Sequence, residues 1–115
     1  TFKAIINAYT ERVTYNKGFD FGVSQKEVMS LLNDGIITKD DFIGDVERII
    51  KVGAVADRAQ FIIREMHIAD RSVQNIKVTV YNNLKTDWLI GEEVLKQFGE
   101  FNFDTNSMKL IFNKE

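Results

Sequence analysis

Phe19-Asp20-Phe21-Gly22-Val23-Ser24 is the stretch on which the reading of the fold turns. It closes an extended segment and runs straight into an amphipathic pattern, Val28, Leu31 and Leu32, at helical spacing. Ser24 and Glu27 make an S-x-x-E capping box, in which the serine oxygen takes an orphan helix N–H and the glutamate reaches back. A helix over Gln25 to Asn33 is therefore predicted, closed by Gly35, a residue suited to the left-handed turn after a helix. Asp20 is expected on a tight turn just before that helix start, where Gly22 lets backbone approach closely. A carboxylate on such a turn can be aimed.

Working outward, the rest of the chain reads mainly as strands. Phe2 to Asn7 puts Phe2, Ala4 and Ile6 on one face, a turn is expected over Ala8 to Glu11, and Arg12 to Phe19 forms a weaker strand. After the helix, Thr38 to Gly44 reads as a short acidic turn that Thr38 and Asp41 cap. Val46 to Val52 and Arg58 to Ile68 are expected to make a hairpin with a mobile tip at Gly53. In the second of these strands the apolar face switches from Phe61 and Ile63 to Met66 and Ile68. Side chains alternate strictly along a strand, so the switch requires a bulge or a crossing between sheets. Val73 to Tyr81 is the cleanest strand, with Ile76, Val78 and Val80 inward and Lys77 and Thr79 outward. Trp88-Leu89-Ile90-Gly91 leads into a second helix bearing Val94, Leu95 and Phe98, and a last hairpin carries Phe101, Phe103, Met108, Leu110 and Phe112. The expected class is all-β with two short helices, in one domain over residues 1–115.

Composition excludes several functions. A net charge of −2 gives no basic field for nucleic acid. No apolar run approaches the ~20 residues of a membrane helix. With no cysteine there is neither a disulfide, a thiol nucleophile nor a thiolate metal site, and His67 is the sole histidine. No metal or other cofactor is expected. Asp40 and Asp41 lack the glycine and distal glutamate of a calcium loop. Ser24 serves better as a helix cap than as a nucleophile beside His67, and Trp88 reads most simply as core. The compartment is left open; a soluble, bacterial periplasmic or secreted chain, trimmed after export, is consistent with a start at Thr1.

Strand, Asp20-x-Gly22-Val23-Ser24, then helix resembles the active-site loop of the retropepsin-like aspartic proteases, whose motif reads Asp-Thr/Ser-Gly-Ala-Ser. The resemblance extends over nearly the whole chain. Leu89-Ile90-Gly91 is similar to the family's apolar-apolar-Gly segment, which threads beneath the active-site loop. Leu31-Leu32-Asn33-Asp34-Gly35 and Asp41-Phe42-Ile43-Gly44 look like its bacterial branch. Asp20-Phe21-Gly22 also spells the magnesium-binding triplet of protein kinases, but no Gly-rich loop or His-Arg-Asp loop accompanies it.

The resemblance implies a half-barrel protomer that works as a homodimer on extended peptides. Asp20 of each copy would be the catalytic acid, Gly22 would line the substrate site, and the hairpin at Gly53 and Ala54 would be the flap over the peptide. Two facing carboxylates share one proton, one activating water while the other polarises the scissile carbonyl. A single Asp-x-Gly per chain makes the second copy obligatory. Phe21 departs from the family, standing where a Thr or Ser hydroxyl bonds across the dimer axis. Its ring is expected to lie where the two copies meet near that axis: either the paired rings pack and hold the loops, giving a weakened endopeptidase, or the loops splay, giving a non-catalytic dimer that binds peptide or protein partners. A monomeric β-rich binding domain with an incidental Asp-x-Gly is the third alternative.

Overall fold

The computed structural model of the chain describes residues 1–113. Strands β1 (Phe2–Ile6) and β2 (Tyr9–Tyr15) form a hairpin whose two-residue loop, Asn7-Ala8, has φ of 48° and 75°. Positive φ at both loop residues matches the twist of the flanking strands, so Tyr9 is already paired, where the sequence suggested a turn through Glu11. Asn7 is held there by its side chain. Its Oδ1 accepts from Arg64 N (3.0 Å) and Glu65 N (3.2 Å), and its Nδ2 donates to the Ile36 carbonyl (3.1 Å).

Next come β3 (Phe21–Ser24), α1 (Gln25–Asn33), a single 3₁₀ turn over Lys39–Asp41 and β4 (Phe42–Ile43). The predicted helix is found with its bounds as expected, but β3 stands between Asp20 and its first residue, so Asp20 is not at the helix start. Only half of the capping box forms. Ser24 Oγ accepts from Glu27 N (3.1 Å), while Ser24 N donates to the Asp87 carbonyl (2.9 Å), leaving Glu27 nothing to reach back for. Val46 to Val52, expected as strand, splits into the helical turn α2 (Val46–Ile49), capped by Asp45, and β5 (Ile50–Lys51). β6 (Ala54–Val55) completes a small hairpin around Val52-Gly53, with Gly53 at φ 78°.

The long strands β7 (Gln60–Ile68) and β8 (Arg71–Tyr81) carry the switch in apolar face. Phe61 and Ile63 are buried, then Met66 and Ile68, while Arg64 and Glu65 are exposed. Pairing keeps one register on both sides, Ile63 opposite Ile76 and Glu65 opposite Gln74. No extra residue is inserted; the hairpin turns a corner at Arg64 and Asn75, the latter at φ 59°. Before the corner β7 pairs with β4, beyond it with β1. The N–H groups freed at the corner are those that Asn7 Oδ1 accepts.

β9 (Trp88–Ile90) lies between β2 and β3, parallel to the first and antiparallel to the second. The sheet order β1-β2-β9-β3-β8-β7-β4, with β1 also paired to β7, closes a barrel and leaves β4 outside. Its interior is packed by Ile6, Val13, Phe21, Val23, Phe61, Ile63, Met66, Val78, Val80, Trp88 and Ile90. Helix α3 (Glu92–Leu95), a 3₁₀ turn over Lys96–Phe98 and the hairpin of β10 (Phe101–Asp104) and β11 (Lys109–Phe112) end the described chain. That hairpin rests on Tyr15 through Phe101 and Phe103. No helix among the described residues is long and apolar enough to cross a membrane.

Candidate active site

Alternation along β3 decides which side chains meet. Phe21 and Val23 turn into the barrel, both essentially inaccessible, while Asp20 and Gly22 face the opposite way and Asp20 is exposed. Phe21 packs against the Trp88 ring, centroids 5.7 Å apart. The sequence reading set this ring at a dimer axis. In the fold it is core, and its size is accommodated within one chain.

The loop carrying Asp20 is clamped from two sides. Phe19 N donates to the Asn16 carbonyl (3.0 Å), and Asn16 N donates to the Ile90 carbonyl (2.9 Å). Gly91 N donates to the Asp20 carbonyl at 2.6 Å. A Cβ built on Gly91 would overlap the Phe19 carbonyl oxygen, so the approach of the two backbones requires glycine. That is the physical meaning of the apolar-apolar-Gly segment here: Leu89 and Ile90 pair with β3, and Gly91 lets the chain slide under the loop. At Gly22 a Cβ would come within 2.7 Å of the Tyr81 ring and 2.8 Å of the Phe19 ring. The glycine leaves space for Tyr81 to lie across β3.

Tyr81 had no sequence signal beyond ending the cleanest strand. Its backbone sits in parallel register with Ser24, and its hydroxyl donates to both oxygens of Asp20, at 3.1 and 2.9 Å. Among the described residues, the Tyr81 hydroxyl is the one donor that reaches the carboxylate. The Arg58 guanidinium lies 4.6 Å above the Tyr81 ring. Burial raises the Tyr81 pKa above the usual phenol value, helped by the hydrogen bond to Asp20 and its charge, and Arg58 opposes this.

A cavity of about 490 Å³ opens beside Asp20, bounded by Gln60, Lys77, Thr79, Val94 and Gln97. Thr79, expected outward in solvent, is buried in its wall and accepts from Gln60 Nε2 (3.2 Å). Gly53 and Ala54 are not brought to Asp20 by any hydrogen bond among the described residues. Their hairpin is tied to α1 instead. Val55 N donates to Gln25 Oε1 (2.7 Å), and Gln25 Nε2 donates to the Val55 carbonyl and to Asn82 Oδ1. No group of three or more acidic or histidine side chains among the described residues is placed to hold a metal ion.

A pair of carboxyls meets at the start of α1. Glu27 of α1 faces Glu11 of β2, with Asp87 nearby, and burial followed by the charges of Glu11 and Asp87 pushes the Glu27 pKa from 4.5 to about 7. Glu11 is also raised, chiefly by burial. The buried Trp88 Nε1 points toward this pair and opposes both shifts, though no acceptor sits in good hydrogen-bond geometry. The folded state thus prefers a protonated Glu27. Its stabilising contribution is complete below the unfolded value near 4.5 and is lost as pH rises through about 7. Glu27→Gln keeps a neutral, hydrogen-bonding side chain and should flatten that decline. We expect the variant to exceed the parent by about 1–2 kcal/mol at pH 8, a figure reduced from the full linkage value because the pair is half-solvated. Urea denaturation at pH 5 and pH 8 measures it; a decline in the variant as steep as the parent's would reject the assignment.

No known family model matches the sequence, and no curated protein does. The likeness is to solved structures. A retropepsin-like aspartic protease from Rickettsia conorii superposes with a TM-score of 0.63 at 18% identity, over 96% of this chain and 76% of that one. The retroviral protease-like domain of Ddi1 from Leishmania major superposes with a TM-score of 0.63 at 12% identity, over 97% and 82% of the two chains.

Proposed function

From a chain that has the retropepsin-like fold, we propose an aspartic endopeptidase, one domain per chain, built from two copies and acting on extended peptides. The observation that carries this is the state of Asp20. Its carboxylate is exposed at the mouth of a cleft, on a loop held by Gly91, with the bulky neighbour Phe21 turned away into the core. Asp20 of one protomer and Asp20 of its partner would share a proton across a two-fold axis, one accepting a proton from water and the other donating to the scissile carbonyl. Gly22 lies buried beneath the Tyr81 and Phe19 rings, so its part in the site would be to let those rings lie beside the acid. The hairpin bearing Gly53 and Ala54 would close over it, the exposed Val52 and Gly53 forming the moving tip around a base fixed by Gln25.

One observation favours a second reading, a non-catalytic dimer that binds peptides. Phe21 supplies no hydroxyl, and its burial leaves no side chain from that position to bridge the two loops. Sedimentation and cleavage of a peptide library from acidic to neutral pH separate the readings. A dimer whose cleavage disappears in Asp20→Asn is the expected result. Peptide binding with no cleavage by either protein would establish the second reading, and a monomer at high concentration would remove both.

A further inference from the structure

We propose that Tyr81 is the positioning residue of Asp20, doing inside one chain what a hydroxyl shared across a dimer axis would otherwise do; this rests on reading Asp20 as the catalytic acid. An exposed aspartate on a loop rotates freely about its side-chain bonds unless something fixes its plane. Here one hydroxyl contacts both oxygens, at 3.1 and 2.9 Å, and so sets the carboxylate's orientation. A carboxylate has about four lone-pair directions. One shared proton leaves ample capacity for water and for the partner's acid.

The phenol is itself well held. Its ring packs on Phe19, centroids 5.2 Å apart, and crosses β3 where Gly22 has no side chain. The Arg58 guanidinium lies over the ring, 4.6 Å from its centroid. Arg58 is anchored at the root of the β5–β6 hairpin: its N–H donates to the Val80 carbonyl (2.8 Å), and neighbouring Asp57 accepts from Asn82 N (3.0 Å). Hairpin base, phenol and acid therefore form one contiguous set of contacts. With its pKa raised, the phenol stays protonated and remains a donor throughout the acidic to neutral range.

Tyr81→Phe deletes the hydroxyl and keeps the ring packing, so it tests the hydrogen bond alone. A hydrogen bond to a charged group corresponds to roughly a ten- to hundredfold effect. We expect kcat to fall by about that factor, with KM and melting temperature nearly unchanged. A readout that needs no turnover is the titration of the tyrosine ring, followed by NMR of Cζ-labelled protein. Asp20→Asn should lower the titration midpoint of one tyrosine, and that signal should be missing in Tyr81→Phe. If the parent cleaves peptides and Tyr81→Phe matches its kcat within about twofold, the proposal is overturned while the peptidase reading stands. A tyrosine titration unmoved by Asp20→Asn overturns the contact itself. If the parent cleaves nothing, the reading of the site falls and the positioning role falls with it.

Discussion

Phe21→Thr, the change that would restore the hydroxyl of an Asp-Thr-Gly motif, is expected to destabilise the protein by about 3–5 kcal/mol and to leave turnover no higher. Phe21 is 1% exposed and fills the barrel against Trp88. Threonine would remove most of a ring, leave a cavity that neighbouring strands cannot collapse into, and bury a hydroxyl facing apolar side chains. For a domain whose total stability is on the order of 5–15 kcal/mol, that loss is a large share. Phe21→Leu keeps most of the volume and should be markedly milder. Urea denaturation of the two variants, with peptide cleavage measured alongside, provides the check. A Phe21→Thr variant as stable as the parent and faster in turnover would mean that the side chain at this position faces a partner and not the barrel.

Gly91→Ala should also be damaging, by a different route. No cavity forms; instead the new methyl overlaps the Phe19 carbonyl oxygen, an atom of the backbone that no rotamer change can move aside. Either β9 or the Asp20 loop must shift, breaking the 2.6 Å hydrogen bond from Gly91 N to the Asp20 carbonyl. Overpacking of this kind typically costs about 1–3 kcal/mol, and a backbone clash sits at or above the top of that range. A displacement of ~1 Å at the acid can cost about a hundredfold in rate. Loss of activity exceeding the loss of folded fraction at 25 °C is the expected signature. Circular dichroism and cleavage rates on one preparation test it, and a Gly91→Ala variant that is active and fully stable would contradict the threading described here.

How much was legible beforehand depended on the range of the interaction. The helix over Gln25–Asn33, the turn at Gly53 and the face switch in β7 were readable because capping, turn chemistry and alternation act over a few residues. The strand expected to return from that turn, Arg58 to Ile68, is not its partner: the hairpin closes on Ala54–Val55, and β7 pairs with β8, β4 and β1, a choice made by long-range pairing. Val46–Ile49 reads as strand in the sequence because Val and Ile favour strands and one helical turn is too short to show a period. The true first turn is hidden because Asn7-Ala8 lacks the glycine that usually marks positive φ at both loop positions. At the site, Asp20 and Gly22 stand out in the sequence. Tyr81, 61 positions away, does not, since its link to Asp20 exists only through the parallel pairing of β3 with β8.

By itself the sequence determined a β-rich chain with an acid on a glycine turn and an apolar-apolar-Gly segment in the right order. It set the Phe21 ring at a dimer axis, because a tight turn carries no strand alternation to say which way its side chains point. Only the tertiary structure decided that Phe21 is core and Asp20 exposed. Closure of β1 onto β7 puts Phe21 inside and Asp20 at the cleft, and brings Tyr81 and Gly91 against the acid. The reason is that register and closure are long-range pairings, set by burial of both faces of the sheet at once, and no local pattern encodes them.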